Sequence, residues 1–166
     1  MANFAFIDCQ NVHLGVQHQG WSLDWSRFRI YLRDKYGVTQ AYIFIGYLPE
    51  HIEMYNSLKN ARYILIFEPT LKFKIDNKMV TKGNVDAELV LHAMIQYPHY
   101  NQAVIVSGDG DFRCLIEYLF QQKKRKRLIV PNSKKYSRLL REFSSHITYL
   151  NRLREKLSHT KTRGIS

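Results

Sequence analysis

Val104-Ile105-Val106-Ser107-Gly108-Asp109-Gly110-Asp111-Phe112 is a short apolar run that breaks into Ser-Gly-Asp-Gly-Asp and then resumes as a helical pattern. The β-branched residues 104–106 predict a strand in the middle of a parallel sheet, covered on both faces. Gly108 and Gly110 free the backbone at the carboxyl end of that strand. Asp109 and Asp111 follow at a spacing that can aim two carboxylates into the crevice where open α/β sheets bind ligands. A plainer reading stands beside this one: a turn followed by the N-cap of the next helix. A calcium loop of the EF-hand type fits worse, because Phe112 and Arg113 stand where further oxygen ligands would be needed and no second motif supports it. Further carboxylates at other strand ends would favour a site.

Such carboxylates are present. Residues Asn3 to Cys9 read as a first strand that ends on Asp8, followed by Gln10 and Asn11. From Ser22 or Asp24 as cap, Trp25, Phe28, Leu32 and Tyr36 recur at helical spacing up to Gly37. Ala41 to Leu48 predicts a second strand, Pro49 opens a helix carrying Ile52, Tyr55 and Leu58, and Tyr63 to Phe67 predicts a third strand. A β-α-β-α-β run of this kind argues for right-handed crossovers and a parallel sheet. Between Pro69 and Gly83 the alternation of Leu71, Phe73 and Ile75 around Asp76-Asn77 suggests a hairpin or ordered loop overhanging the site. Asn84 or Asp86 then starts a helix with Leu89, Ala93 and Met94 on its buried face. Asp86 falls in the first turn, where the helix dipole favours a carboxylate and where a capping acid is also commonplace. Leu115, Ile116, Leu119 and Phe120 predict the next helix, Leu128 to Val130 a fifth strand, and Leu139, Leu140 and Phe143 a helix capped by Ser133 or Ser137. Ile147 to Leu150 suits a short edge strand, and the remainder is a polar basic tail.

At 166 residues the chain suits one domain that buries its own core. Cys9 and Cys114 are not paired as CxxC, which speaks against a zinc site or a disulfide framework. No apolar run reaches the roughly 18 residues of a membrane span, and the first residues leave no room for a signal peptide. The expectation is a soluble, cytoplasmic protein with no membrane partner. Its formal charge of +11 is unevenly placed: residues 1–120 hold 11 Lys/Arg against 12 Asp/Glu, and residues 121–166 hold 14 against 2. A basic stripe of this kind is the footprint of a protein that neutralises phosphates. It also suits a solvated helix face with a tail.

Phe6-Ile7-Asp8-Cys9-Gln10-Asn11, Lys82-Gly83-Asn84-Val85-Asp86 and Ser107-Gly108-Asp109-Gly110-Asp111-Phe112 stand in this order and spacing. With them the chain resembles the NYN domain, the LabA-like or DUF88 group of the PIN-like nuclease superfamily, over roughly residues 3 to 150. The resemblance implies a Rossmann-like three-layer α/β/α fold with a mainly parallel sheet of order 3-2-1-4-5. It divides the chain into a nuclease domain at 1–150 and a basic C-terminal helix or tail at 151–166. It implies that Asp8, Asp86, Asp109 and Asp111 form the family's acidic cluster, which holds one or two Mg²⁺ or Mn²⁺ ions in RNA-cleaving members. Asn11 and Ser107 match the family's Asn after the first Asp and its strand-end Ser. The chain departs from the family at Cys9, where Gly is common, and at His92, where many members carry a further Asp.

Carboxylates gathered in one crevice repel one another, so one takes up a proton or a cation sits among them. Hard divalent ions with oxygen ligands meet that need and activate water against a phosphodiester. The partner expected is RNA, single-stranded or structured, and a homodimer is compatible with the reading. Lys82 and Arg113 are placed to neutralise phosphates near the scissile bond. Lys123, Lys124, Arg125, Lys126 and Arg127, with Lys134, Lys135, Arg138 and Arg141, are expected to hold the strand on either side, and Tyr136 to stack on an unpaired base. Two other functions compete. One is a non-catalytic RNA-binding or scaffold protein of the same fold, against which the presence of all four Asp argues. The other is a Mg²⁺-dependent hydrolase of small phosphate esters of the haloacid-dehalogenase kind, which needs a second Asp where this chain has Gln10.

Overall fold

The computed structural model describes residues 2–68, 71–82 and 85–159, apart from the side chains of 71–74 and 79–82. In chain order the main elements are β1 (Asn3–Asp8), α1 (Cys9–Gln17), α2 (Trp25–Tyr36), β2 (Val38–Gly46), α3 (Ile52–Asn60), β3 (Tyr63–Glu68), β4 (Leu71–Ile75), β5 (Lys78–Lys82), α4 (Asp86–Ile95), β6 (Ala103–Val106), α5 (Arg113–Gln121), β7 (Arg125–Val130), β8 (Ile147–Tyr149) and α6 (Arg154–Leu157). Six strands pair in parallel in the order β3-β2-β1-β6-β7-β8, and β4 with β5 forms a separate antiparallel hairpin. Counted along the main sheet alone this is 3-2-1-4-5-6, the expected order with Ile147–Tyr149 added as the edge strand.

Alternation along the strands divides the core into two layers. Ala5, Ile7, Val104 and Val106 face Val12 and Val16 of α1, Phe28 and Leu32 of α2 and Leu58 of α3. Phe4, Phe6, Ile105 and Leu128 face Leu89 and Ala93 of α4 and Leu115, Ile116 and Leu119 of α5. Every residue of β6 is buried, as a strand covered on both faces requires. Asp24 caps α2 by accepting from the Arg27 amide, and Gly37 ends it in the left-handed conformation at φ 67°.

Several expectations are corrected. A helix directly follows Asp8: α1 is short, contains Gly15 and offers only Cys9, Val12 and Val16 as a buried stripe, so its periodicity is faint. Gly15 is where this helix crosses Pro131; a Cβ there would come within 2.7 Å of the proline ring. The second strand starts at Val38 and ends at Gly46. The segment Arg138–His146 winds as 3-10 turns, with Ser137 as its cap, accepting from the Leu139 amide. Met94, Phe120 and Leu139 are exposed, at 38%, 52% and 57%, because the buried stripes of their segments are filled by Leu89, Leu119 and Leu140. The segment after Leu150, which the sequence leaves open as helix or tail, includes the short helix α6 and docks as far as His159: Leu157 is fully buried, its carbonyl accepts from the Asp24 amide, and Ser158 bridges Leu23. The end of the expected tail, 160–166, lies outside the described residues. Among the described residues no helix is long and apolar enough to cross a membrane.

Candidate active site at the sheet switch point

From β1 the chain winds one way to β2 and β3, and from β6 the other way to β7 and β8, so the sheet reverses between β1 and β6. The crevice beyond the carboxyl ends of those two strands is where the backbone leaves room for a ligand.

Asp8 closes β1 and is 5% exposed. One carboxylate oxygen accepts from the Asn11 amide (3.3 Å), which caps α1, and the other from Ser107 Oγ (3.3 Å) at the end of β6. Ser107 Oγ in turn accepts from the Asp109 amide (3.1 Å), and Asn11 Oδ1 accepts from the Gly108 amide (2.8 Å). Asp109 caps the turn at Gly110–Phe112 by accepting from the Asp111 amide (2.9 Å). Asp109 thus stands three residues beyond the end of β6 and caps the turn that follows. Asp86 enters from the first turn of α4. One oxygen from each of Asp8, Asp86 and Asp109 lies within 4.8 Å of the others. Asp111 is exposed and joins through a hydrogen bond with the Asp86 carboxyl.

The electrostatics follow from this convergence. Burial, with a smaller contribution from the charge of Asp109, pushes the Asp8 carboxyl up to about 6, against the opposing pull of the Asn11 and Ser107 hydrogen bonds. Burial, the Asp109 charge and the Asp111 hydrogen bond, with smaller contributions from the charges of Asp8 and Asp111, push Asp86 up to about 7. The same burial takes the neighbouring Cys9 thiol up to about 12, so it is no nucleophile at neutral pH. Arg113 does not relieve the repulsion: its guanidinium bonds Glu142 (2.7 Å from Nε) and Glu117 (3.1 Å). Carboxylate oxygens that converge this closely, and hold their protons this tightly, suit a hard divalent ion.

The glycines work by leaving room. Neither Gly108 nor Gly110 has a positive φ. A Cβ on Gly110 would collide with Ser137 Oγ and lie 2.9 Å from Ser137 Cβ, and one on Gly108 would lie 3.1 Å from Tyr136 Cβ. The loop after β7 thus lies directly on the Asp loop, tied by the Ser137 amide donating to the Gly108 carbonyl (3.0 Å). Lys134, Lys135 and Arg138 flank Tyr136 and Ser137 in the sequence, and all three are exposed. Tyr136 beside them is half-buried, its hydroxyl 3.1 Å from that of Tyr149. The side chain of Lys82 lies outside the described residues.

The block Lys123 to Arg127 is not brought to the crevice. It enters at the amino end of β7, and in an all-parallel sheet that is the pole opposite Asp8 and Asp109, a strand length of roughly 15 Å away. Lys124 Nζ donates to the carbonyls of Tyr97 and Tyr100 (2.7 Å each) and lies 4.3 Å and 4.8 Å from their ring centres. Arg125 is buried over Phe120 and Phe143, and Arg127 donates to Thr148 Oγ1 (2.9 Å) at the β8 edge. Lys123 and Lys126 are exposed. Run-on charge in a sequence does not distinguish a stripe from cations that fasten a strand.

Two further acids escaped sequence reasoning. Glu68 closes β3 as Asp8 closes β1, so the rule that singles out Asp8 singles out Glu68 as well. Its carboxyl is raised by burial and by Glu88, and its Oε2 is buried without a hydrogen-bond partner among the described residues. Glu88 lies 3.5 Å from His92 Nε2, which occupies the place of the family's further acid and packs against Phe44.

The NYN domain family model matches residues 4–151. Low amplitude and bright protein LabA of Synechococcus elongatus is 26% identical over 163 residues, covering 94% of this chain and 87% of its own length. A Vibrio parahaemolyticus protein of unknown function, known from its crystal structure, superposes with a TM-score of 0.73 at 21% identity, covering 95% of this chain and 96% of its own. At that identity the second likeness bears on the fold alone.

Proposed function

The chain belongs to the NYN domain family, and from that premise we propose that it is a metal-dependent ribonuclease that hydrolyses phosphodiester bonds in RNA. The observation that carries the reading is the convergence of Asp8, Asp86 and Asp109, one oxygen each within 4.8 Å, at the switch point. Asp8, Asp86 and Asp109, with Asp111 behind Asp86, would hold one or two Mg²⁺ or Mn²⁺ ions, which supply Lewis-acid stabilisation of phosphate charge and a more acidic water. Ser107 and Asn11 hold the two strand ends in register: Ser107 links Asp8 to the Asp109 backbone, and Asn11 fixes Gly108. They act as positioning residues. Lys134, Lys135 and Arg138 take the phosphates that flank the reacting one, and their place on the surface suits contacts that are independent of sequence. The cytoplasm, where RNA and free divalent cations meet, is the setting the reading requires.

The test is cleavage of labelled single-stranded and structured RNA with Mn²⁺, Mg²⁺ or EDTA, beside Asp8→Asn and Asp109→Asn. Cleavage that needs the cation and is lost in both variants is expected. If wild type and both variants bind RNA alike and none cuts it, the chain is a binding module and the nuclease reading fails.

A further inference from the structure

Among the described residues strand β3 is an open edge of the sheet, and its run from Tyr63 to Phe67 carries no residue that usually blunts one. It is apolar from Tyr63 to Phe67, has no proline, lysine or bulge, and leaves Ile64 39% exposed. The Tyr47 amide donates to the Glu68 carbonyl, so Glu68 turns its backbone polar groups towards β2, and by alternation Ile64 and Ile66 do too. Tyr63, Leu65 and Phe67 therefore turn their amides and carbonyls outward, and among the described residues no backbone hydrogen bond reaches them. The ends of the strand carry opposite charge. Arg62 is exposed, makes no ion pair among the described residues and lies in the repulsive field of Arg29. Glu68 Oε2 has no hydrogen-bond partner among the described residues.

We propose that β3 pairs antiparallel with β3 of a second copy across a two-fold axis at Leu65, joining two six-stranded sheets into one. Only residues whose polar groups face outward can exchange hydrogen bonds, so Tyr63, Leu65 and Phe67 must meet their like-facing counterparts. Of the two-fold registers this allows, the one centred on Leu65 gives the longest overlap. It pairs Tyr63 with Phe67 of the other copy, twice, and Leu65 with Leu65. It sets Ile64 beside Ile66 of the other copy. It also brings the Arg62 end of each strand against the Glu68 end of the other, so that opposite charges meet at both ends. A two-fold interface is satisfied by one patch used twice, and β3 is self-complementary in shape, polarity and charge. The other outer strand, β8, has three residues and offers a shorter edge.

The test is sedimentation equilibrium of the full chain over a range of concentrations, with Arg62→Glu, Glu68→Arg, the double variant and Ile64→Lys. The wild type is expected to dimerise with a dissociation constant on the order of 10 μM. Each single variant should weaken this by about tenfold or more, and the double variant, which restores opposite charge, should recover to within about threefold of wild type. Circular dichroism separates a folding defect from a lost interface in Ile64→Lys, and recovery in the double variant excludes a folding defect in the charge pair. A chain that stays monomeric at roughly 100 μM, or a dimer that none of the single variants weakens, overturns the proposal.

Discussion

Replacing Asp8 with Asn should make the metal-free protein more stable at pH 8. Burial and the charge of Asp109 raise the Asp8 carboxyl from 3.8 to about 6 in the folded protein. A carboxyl raised on folding binds its proton more tightly in the native than in the unfolded state, so stability falls as pH rises from about 4 through about 6. Two pH units at 1.36 kcal/mol each set the cost of ionising Asp8 at about 3 kcal/mol above that window. Asn caps a helix as well as Asp does, and its amide can donate to Ser107 Oγ, so both hydrogen bonds of Asp8 have replacements. Urea unfolding in EDTA at intervals from pH 4 to 8 reads the difference between the two proteins. The curves should coincide near pH 4 and separate by about 2 kcal/mol in favour of Asn at pH 8, part of the gain being lost to imperfect hydrogen bonding. Adding Mn²⁺ at pH 8 should then stabilise the wild type progressively and the variant much less, because a ligand that binds only the native state adds to its stability. An Asp8→Asn variant no more stable than wild type at pH 8 in EDTA would refute the reasoning: the ionised carboxylate would then be supported by its surroundings, and the case for a cation among these residues would lose its physical basis.

Two further outcomes are expected. Gly110→Ala should cost about 1–3 kcal/mol in urea unfolding, because the new methyl collides with Ser137 and must push the loop after β7 off the Asp loop, whereas Gly20→Ala meets no atom and tests only a strained φ. Replacing Lys134, Lys135 and Arg138 together with Gln should lower RNA affinity and flatten its dependence on salt, by about one unit of slope for each phosphate no longer neutralised, while Lys124→Met should chiefly destabilise the fold and leave the slope unchanged; equal slopes for both sets of variants would place the RNA elsewhere.

Much of this was legible in the chain itself. Val104–Val106 is buried on both faces because β-branched residues in an unbroken run have no polar side to turn outward, and that marks a central parallel strand without further context. Asp8 and Asp109 are close because one closes β1 and the other follows three residues after the end of β6, and a sheet that reverses between those strands places their ends side by side. The NYN motifs supplied the pairing of strands and added Asp86, which position on a helix alone would have left as a first-turn acid.

Tertiary structure decided the rest, for reasons of distance and contact that no local pattern carries. The two glycines look like conformational hinges in sequence, yet their φ values are ordinary, and their smallness matters because a loop 27 residues further on lies against Gly110. The run Lys123 to Arg127 looks like one basic stripe. A cation is engaged or free according to which carbonyl or ring it meets, and here Lys124 and Arg125 meet Tyr97, Tyr100, Phe120 and Phe143 at the pole away from the carboxylates. Composition fixed the charge, and the parallel sheet, by putting strand starts at one end and strand finishes at the other, fixed where that charge can act.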